Sequence, residues 1–536
     1  MRPSRLLFLL PLLLAACGDE AAPATPAVVF SAVYQERVVM RDGLTLGTTV
    51  TLPRRFTVGV DRPVPAILVR TPYNRAVSVP GGISGWAVER GIAVVSQDTR
   101  GRFASDGTDA VFQDDGFGAR QDGYDTVEWI ARQPWSDGKV CTYGPSALGI
   151  VQTMLAPTNP PHLTCQFIVV APADMYAHAA YQGGVLRDEL IRKWLDFQGS
   201  LLWYDLIKAH PVYDNYWAGV DALARADRVD VPAVHVGGWF DIFSEGTLNA
   251  FRGWQYASAT GARGKQKLVM GPGDHIQTAL FLDHMGPYPN ETVAGFDVDA
   301  LSKRWFAHYL LGEANGVDGE AGVRYYLMYG DQEHGAWRTA DAWPLPATAW
   351  TLALTSGPGL GGVAGAVTTM SFTHDPAHPL PTLGGRNLFA RAGADDQSSL
   401  AARADRLTFV SGVLAAPVDV VGEVTLTLEA ALDGDDGYWV AQLIDVAPDG
   451  THRLVTEGSL RAQLREGRTK EVPVTPGAFV AYDISVYSTA WRFLPGHRVG
   501  LAVQASNSPR LAIYPETRVH TVKVNGPSVL RLPVVE

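Results

Sequence analysis

Cysteine is scarce in this chain: three residues among 536, at positions 17, 141 and 165. No CxxC pair and no Cys/His cluster accompanies them, which argues against a zinc site. Charge is scarce too, with 18% charged residues, a net charge of −11 and no basic cluster. A protein that grips phosphates needs a concentrated Lys/Arg face, so nucleic acid is excluded as a partner and a small neutral or polar substrate is expected. No internal repeat is found. What is present is apolar mass: 46% hydrophobic residues with 14 Trp, enough for large cores divided among two or three domains.

The start, "MRPSRLLFLLPLLLAACGDE", places Arg2 and Arg5 before an apolar stretch from Leu6 to Ala16. That stretch is too short to span a bilayer as a stable helix, and its positive flank and small residues follow the pattern of an export signal. Leu14-Ala15-Ala16-Cys17 resembles a bacterial lipobox, which implies cleavage before Cys17 and lipidation of that cysteine. Gly18 at the next place implies the outer membrane. The expectation is an exported lipoprotein of the periplasm or outer membrane, reaching the bilayer through its lipid alone. Residues 1–17 are then signal and lipobox, and 18–28, rich in Ala and Pro, a flexible tether.

From residue 34 to 275 one pattern recurs: a short apolar, β-branched run ending in polar or glycine residues. "VPAILVRTPYN", "GIAVVSQDTRG", "KVCTYGPS", "LTCQFIVVAPAD", "VPAVHVGGWFD" and "KLVMGPGDH" are such runs, several separated by helical stretches such as "DGYDTVEWIARQP". Continuous apolar strands alternating with helices predict a parallel sheet covered on both faces. Chemistry in such sheets lies beyond the carboxyl ends of the strands, which points to Tyr73, Asp98, Ser146, Asp241 and His275. Cys141 and Cys165 fall near the starts of two of these runs, read as neighbouring strands, and are either a disulfide or two buried thiols. The aromatic helical stretch 174–228 predicts a cap, in which Tyr176, Tyr181, Trp194, Trp203, Tyr204 and Trp217 either line a pocket or pack cap against sheet. The sheet resumes over 229–345 after its first part, 29–173. From 346 to 536, short alternating stretches such as "EVTLTLEAAL" with Gly, Pro and Asp turns predict a β-sandwich or jelly roll.

Strand, Gly-x-Ser-x-x-Gly, then "ALGIVQTML" as a helix is the layout of a nucleophile elbow at Ser146, with Gly144 and Gly149 free of bulk where the turn is tight. The usual second glycine stands one place earlier, where this chain has Leu148, so the motif by itself also fits a turn serine. Asp241 at the end of a later strand and His275 after the next complete the order Ser, Asp, His expected of an α/β-hydrolase. His275 is expected to take the serine proton and Asp241 to hold the imidazole tautomer. Asp98 precedes the serine, the wrong order for that acid, and is read as structural, organising its loop with Arg100. Asp274, His275, Asp283 and His284 fit no standard zinc spacing, so no metal and no cofactor are expected.

The stretches "RTPYNR", "SQDTRGRFASDG", "DTVEWIARQPWSDGKVCTYGPSALG", "GGWFDIF", "GPGDH" and "FLPGHRV" resemble the cocaine-esterase-like and X-prolyl dipeptidyl-peptidase family of serine hydrolases. That family also includes α-amino-acid ester hydrolases and glutaryl-7-aminocephalosporanic acid acylases. The resemblance runs from about residue 34 to the C-terminus and implies an α/β-hydrolase fold with a helical cap and a C-terminal jelly roll. It implies a triad of Ser146, Asp241 and His275, and an oxyanion hole of the Tyr73 hydroxyl and the Ala147 N–H. Ala147 stands where the family usually has Tyr, and Gly273 where it has Trp, so both walls are more open. The acidic residues that follow the aspartate in amino-acid ester hydrolases are here Ile242, Phe243 and Ser244, leaving Glu245 or a cap carboxylate as the remaining counter-charge for an α-amino group. An uncharged ester, or less favourably an amide, is therefore expected, in a pocket near Trp239, Phe240 and Phe243. Dipeptidyl-peptidase or acylase activity is the alternative within the family, and carbohydrate binding by the jelly roll the alternative outside it.

Overall fold

The computed structural model describes residues 28–77, 81–259, 261–281, 288, 295–357, 359–363 and 365–536. The lipobox Cys17, the signal and nearly all of the tether lie outside the described residues, as do Asp283 and His284.

One sheet runs through the first part of the chain in the order Val33–Val39, Thr45–Thr51, Ala93–Asp98, Val64–Thr71, Ser136–Pro145, Leu163–Val169, Ala233–Phe240, Lys267–Asp274, Val323–Tyr329, Gly335–Ala340. From Ala93–Asp98 to Val323–Tyr329 all neighbours are parallel, and only the edges are antiparallel. The central strands read as unbroken apolar runs because both faces are covered. On one face Val298–Leu311 packs Trp305 and Phe306 against Tyr143 and Phe167. On the other, Asp122–Ala131 and the loop after it pack Val127, Ile130 and Trp135 against Leu68 and Val95. Cys141 and Cys165 stand directly opposite in the register of adjacent strands, Cα atoms 4.6 Å apart, and are joined as a disulfide. Of the two readings open for them, pairing is the one realised.

Asp98 is structural, but its partner differs from the expected Arg100. Its carboxylate accepts the backbone N–H of Arg75 at 2.7 Å and pairs with the Arg75 guanidinium. Arg100 turns instead to Asp122 at 2.6 Å and Asp42 at 2.7 Å. The strand ends at Asp98 and the chain turns at Arg100, so strand geometry no longer relates the two side chains and sequence adjacency does not bring them together.

Residues 174–228 hold the short helices Asp188–Phe197, Trp203–Ala209 and Asn215–Ala218 beside the sheet. Their hairpin turn is threaded against the C-terminal strands. Gly183, at φ +54°, approaches so closely that an added Cβ would lie 1.8 Å from the Ser459 carbonyl oxygen, so only glycine fits. Past Ala340 the strands become antiparallel, apart from the short parallel pairing of Gly359–Gly361 with Arg406–Ser411. Thr368–His374, Arg518–Val524, Val418–Leu432 and Val480–Phe493 form one layer with Val529–Val535 and Thr348–Thr355. Arg406–Ser411, Arg498–Gln504, Tyr438–Val446 and His452–Arg461 form a second. Trp439, Tyr482, Trp491 and Phe409 fill the core these strands share.

Candidate active site

Ser146 sits between the strand Ser136–Pro145 and the helix Ala147–Leu155 at φ 57°, ψ −125°. A non-glycine residue held there stores on the order of 1–3 kcal/mol of backbone strain, which the surrounding structure must over-determine. It does so through neighbours without side chains. A Cβ on Gly144, at φ +152°, would meet Leu148 Cβ at 2.4 Å, and one on Gly149 would meet Ala171 Cβ at 2.7 Å. The Ser146 N–H donates to the Val169 carbonyl of the next strand at 2.9 Å. Being the N-cap of its helix, Ser146 lies at the positive end of the helix dipole. Ala147, the first helical residue, has an N–H with no acceptor inside the helix.

His275 begins the helix that follows Lys267–Asp274, and Asp274 caps that helix reciprocally with Gln277. Asp274 is thereby occupied as a cap. Among the described residues no group of three or more His, Cys, Asp or Glu converges as a metal site would need. The His275 Nε2 is 2.9 Å from Ser146 Oγ, and its Nδ1 is 2.6 Å from Asp241 Oδ1. Imidazole and carboxylate are buried, at 3% and 0% exposure, so their hydrogen bond is shielded from water. Phe243 sets its ring edge-on to the imidazole, centroids 5.4 Å apart at 87°. The three residues expected at three strand ends are thus brought into one hydrogen-bonded line.

Tyr73 is also at the serine. Its hydroxyl oxygen accepts the Trp194 indole N–H at 2.9 Å and is in hydrogen-bond contact with Ser146. Burial pushes the phenol above the ordinary tyrosine range, against the lowering effect of the hydrogen bonds to Trp194 and Ser146, so it stays a proton donor.

A cavity of about 670 Å³, counting its open mouth, adjoins Ser146 and Ala147. Ile150, Ile191, Trp194, Trp217, Ile242 and Phe243 are among its walls, and no charged side chain faces it. Of the three aromatics expected near the pocket, Phe243 lines this cavity and Trp239 and Phe240 do not. Trp239 donates its indole N–H to the Tyr326 carbonyl at 2.8 Å and stacks near Trp343, in the core shared with the C-terminal strands. Phe240 joins the same core and faces a separate polar cleft containing Arg391 and Arg453. Both precede the point where the chain turns out of the sheet at Asp241, so they stay with the sheet's packing. Of the cap aromatics, Trp194 and Trp217 line the cavity. Tyr176 and Tyr181 instead stack on each other and Tyr204 is in the same apolar cluster. Leu388, from the C-terminal part, completes the wall; no sequence signal marked it, because its loop is remote in the chain. Glu245 does not face the cavity: it accepts the Ser488 N–H at 2.9 Å and is buried against the C-terminal strands.

A parallel sheet that lines up serine, histidine and aspartate at its strand ends is the framework of a hydrolase. The pattern of the X-Pro dipeptidyl-peptidase (S15 family) matches residues 42–202 and 198–277, and that of the X-Pro dipeptidyl-peptidase C-terminal non-catalytic domain matches 315–531. The chain belongs to this hydrolase family. It is 29% identical over 550 residues to the cocaine esterase of Rhodococcus sp. (strain MB1 Bresler), covering 90% of this chain and 92% of that one. Its fold is similar to an aminopeptidase from the marine sediment archaeon Thaumarchaeota archaeon, with a TM-score of 0.80 at 21% identity over 97% and 99% of the two chains. An α-amino acid ester hydrolase matches with a TM-score of 0.78 at 22% identity, over 97% of this chain and all (100%) of the other.

Proposed function

We propose that the protein is a serine hydrolase of carboxylic esters, working through an acyl-enzyme on an α/β-hydrolase fold with a C-terminal jelly roll. The observation that carries the reading is the line Ser146 Oγ, His275 Nε2, His275 Nδ1, Asp241 Oδ1 at 2.9 and 2.6 Å. Ser146 Oγ attacks the ester carbonyl while its proton passes to His275 Nε2, and Asp241 stabilises the imidazolium. The carbonyl oxygen becomes an oxyanion held by the Tyr73 O–H and the Ala147 N–H, each such donor contributing ~2.7–4 kcal/mol in the transition state. Collapse expels the alcohol, which takes the proton from His275. Water, deprotonated by the same imidazole, then releases the acid and restores Ser146.

The apolar walls support an uncharged acyl group. An α-ammonium in this cavity would lose its hydration without a counter-charge, since Ile242 and Phe243 follow the aspartate and Glu245 is engaged elsewhere. That favours esters of simple apolar acids over aminoacyl esters and dipeptidyl substrates, and the Rhodococcus relative is itself named an esterase.

The test is a fluorophosphonate probe on residues 18–536 with the modified peptide mapped by mass spectrometry. Labelling of Ser146 that disappears in His275→Ala is expected; a folded protein left unlabelled at Ser146 overturns the reading. We also propose lipidation at Cys17 and residence in the periplasm or outer membrane, on the lipobox-like sequence. Metabolic labelling with an alkyne fatty acid should mark the wild type and spare Cys17→Ser.

A further inference from the structure

Among the described residues the carboxylate of Asp241 is held from one side only: its Oδ1 meets His275, while its Oδ2 is buried with no hydrogen-bond donor. Where the carboxyl group stands therefore depends on the backbone that carries it. That backbone is a tight turn: Asp241 N–H donates to the Gly238 carbonyl and Ser244 N–H to the Asp241 carbonyl, both at 3.1 Å, before the helix Ser244–Tyr256 begins.

The far side of this turn is gripped by the C-terminal strands and the loop before them. Arg386 donates Nε–H to Ser244 Oγ at 2.7 Å, and its Nη2 donates to Thr456 Oγ1 and to the Ser488 carbonyl, both at 3.0 Å. The next residue, Glu245, accepts the Ser488 N–H at 2.9 Å and the Ser488 hydroxyl at 3.3 Å. Arg386 and Ser244 are 2% and 1% exposed, so these bonds do not exchange with water. Two successive residues just beyond the aspartate are thus fixed by positions 386, 456 and 488, which belong to three separate segments of the C-terminal part. A guanidinium fork with defined geometry suits this task, whereas interdomain adhesion alone is met more cheaply by apolar packing.

We infer that Arg386 is a positioning residue for the site: by holding Ser244 it sets where Asp241 meets the His275 imidazole, so the C-terminal part takes part in catalysis without touching the substrate. The inference rests on the serine-hydrolase reading above. It also separates two kinds of interdomain contact. Arg468 of the same C-terminal part pairs with Asp174 and with Asp221, the latter at 3.2 Å, and joins it to the cap without reaching the aspartate turn.

The test measures ester turnover per Ser146 titrated with fluorophosphonate, so that misfolded molecules do not count. Ser244→Ala and Arg386→Met are each expected to lower kcat per titrated site, the latter about tenfold to a hundredfold, with KM within about twofold. Because both cut the same link, the double variant should be no slower than Arg386→Met, and Arg386→Lys should recover part of the loss. Arg468→Ala should lower stability and leave kcat per site unchanged. A second readout needs no substrate: the low-field proton resonance of the His275 Nδ1–H to Asp241 hydrogen bond should shift upfield in Ser244→Ala. If Arg386→Met does not fold, Ser244→Ala and Arg386→Lys decide. Unchanged turnover per site with an unmoved resonance overturns the inference while leaving the serine reading intact. Absence of labelling at Ser146 in the folded wild type fails the reading and the inference together.

Discussion

The indole N–H of Trp194 donates to the phenolic oxygen of Tyr73 across 2.9 Å, so the cap and the sheet meet at a hydroxyl that also touches Ser146. With one lone pair engaged by Trp194, the Tyr73 proton is left to donate elsewhere, and the serine side is where an oxyanion would form.

Tyr73→Phe should therefore lower kcat by about 10²–10³, the usual effect of losing one oxyanion donor, with little change in KM. Trp194→Phe keeps an aromatic side chain but removes the indole N–H and trims the cavity wall; it should lower kcat by roughly fivefold, the value of one net hydrogen bond, with the altered wall read in KM. Steady-state kinetics on a neutral aryl ester, with Ser146 titration to count active sites, checks both.

The cavity beside Ser146 makes a selectivity prediction. A butyryl ester should exceed the matching α-aminobutyryl ester in kcat/KM by about a hundredfold or more, since stripping water from an unpaired ammonium costs several kcal/mol. Ile242→Asp puts a carboxylate into that wall. It should narrow or invert the ratio, chiefly by depressing turnover of the butyryl ester. Parallel kcat/KM measurements on the two esters decide the matter.

Acid should weaken the fold before it titrates the carboxylates. Burial pushes His235 down to about 3 and His520 down to about 4, so both stay neutral in the folded state near pH 5. In the unfolded chain they take up protons near 6.5. Below that pH the unfolded state binds more protons, so stability that is fully present above 6.5 falls as the pH drops toward 4. The slope is about 1.4 kcal/mol per pH unit for each histidine. Urea denaturation between pH 7 and 5 should show this loss, and His520→Gln should reduce its slope by about half.

The Cys141–Cys165 bridge closes a loop of sequence separation 24. Loop closure of that length is worth about 3 kcal/mol, so Cys141→Ala with Cys165→Ala should lower the unfolding free energy from urea titration by about that much. Alkylation of the unfolded, unreduced protein should leave both cysteines unmodified.

Much of the site is legible in the sequence because strand ends in a parallel sheet all project to one edge. Once "KVCTYGPS", "VPAVHVGGWFD" and "KLVMGPGDH" are read as such strands, Ser146, Asp241 and His275 must share that edge, and the glycines beside Ser146 mark where the chain turns sharply. The pocket is less legible. Trp239, Phe240 and Phe243 are neighbours in the chain, yet the turn at Asp241 sends the first two into the core and the third to the imidazole. Trp194 is one of six cap aromatics that local pattern cannot sort between pocket and packing, and nothing in the pattern around Leu388 points to the cavity.

The sequence by itself determined the parallel sheet, the change to antiparallel strands past residue 346 and the three residues at the strand ends, because period and turn chemistry are local and repeat along the chain. Only the tertiary structure decided that Cys141 and Cys165 are paired, that Asp98 serves Arg75, and that Arg386 grips the turn behind Asp241. Those relationships depend on strand register and on which surfaces of three segments meet, and packing at long range sets both.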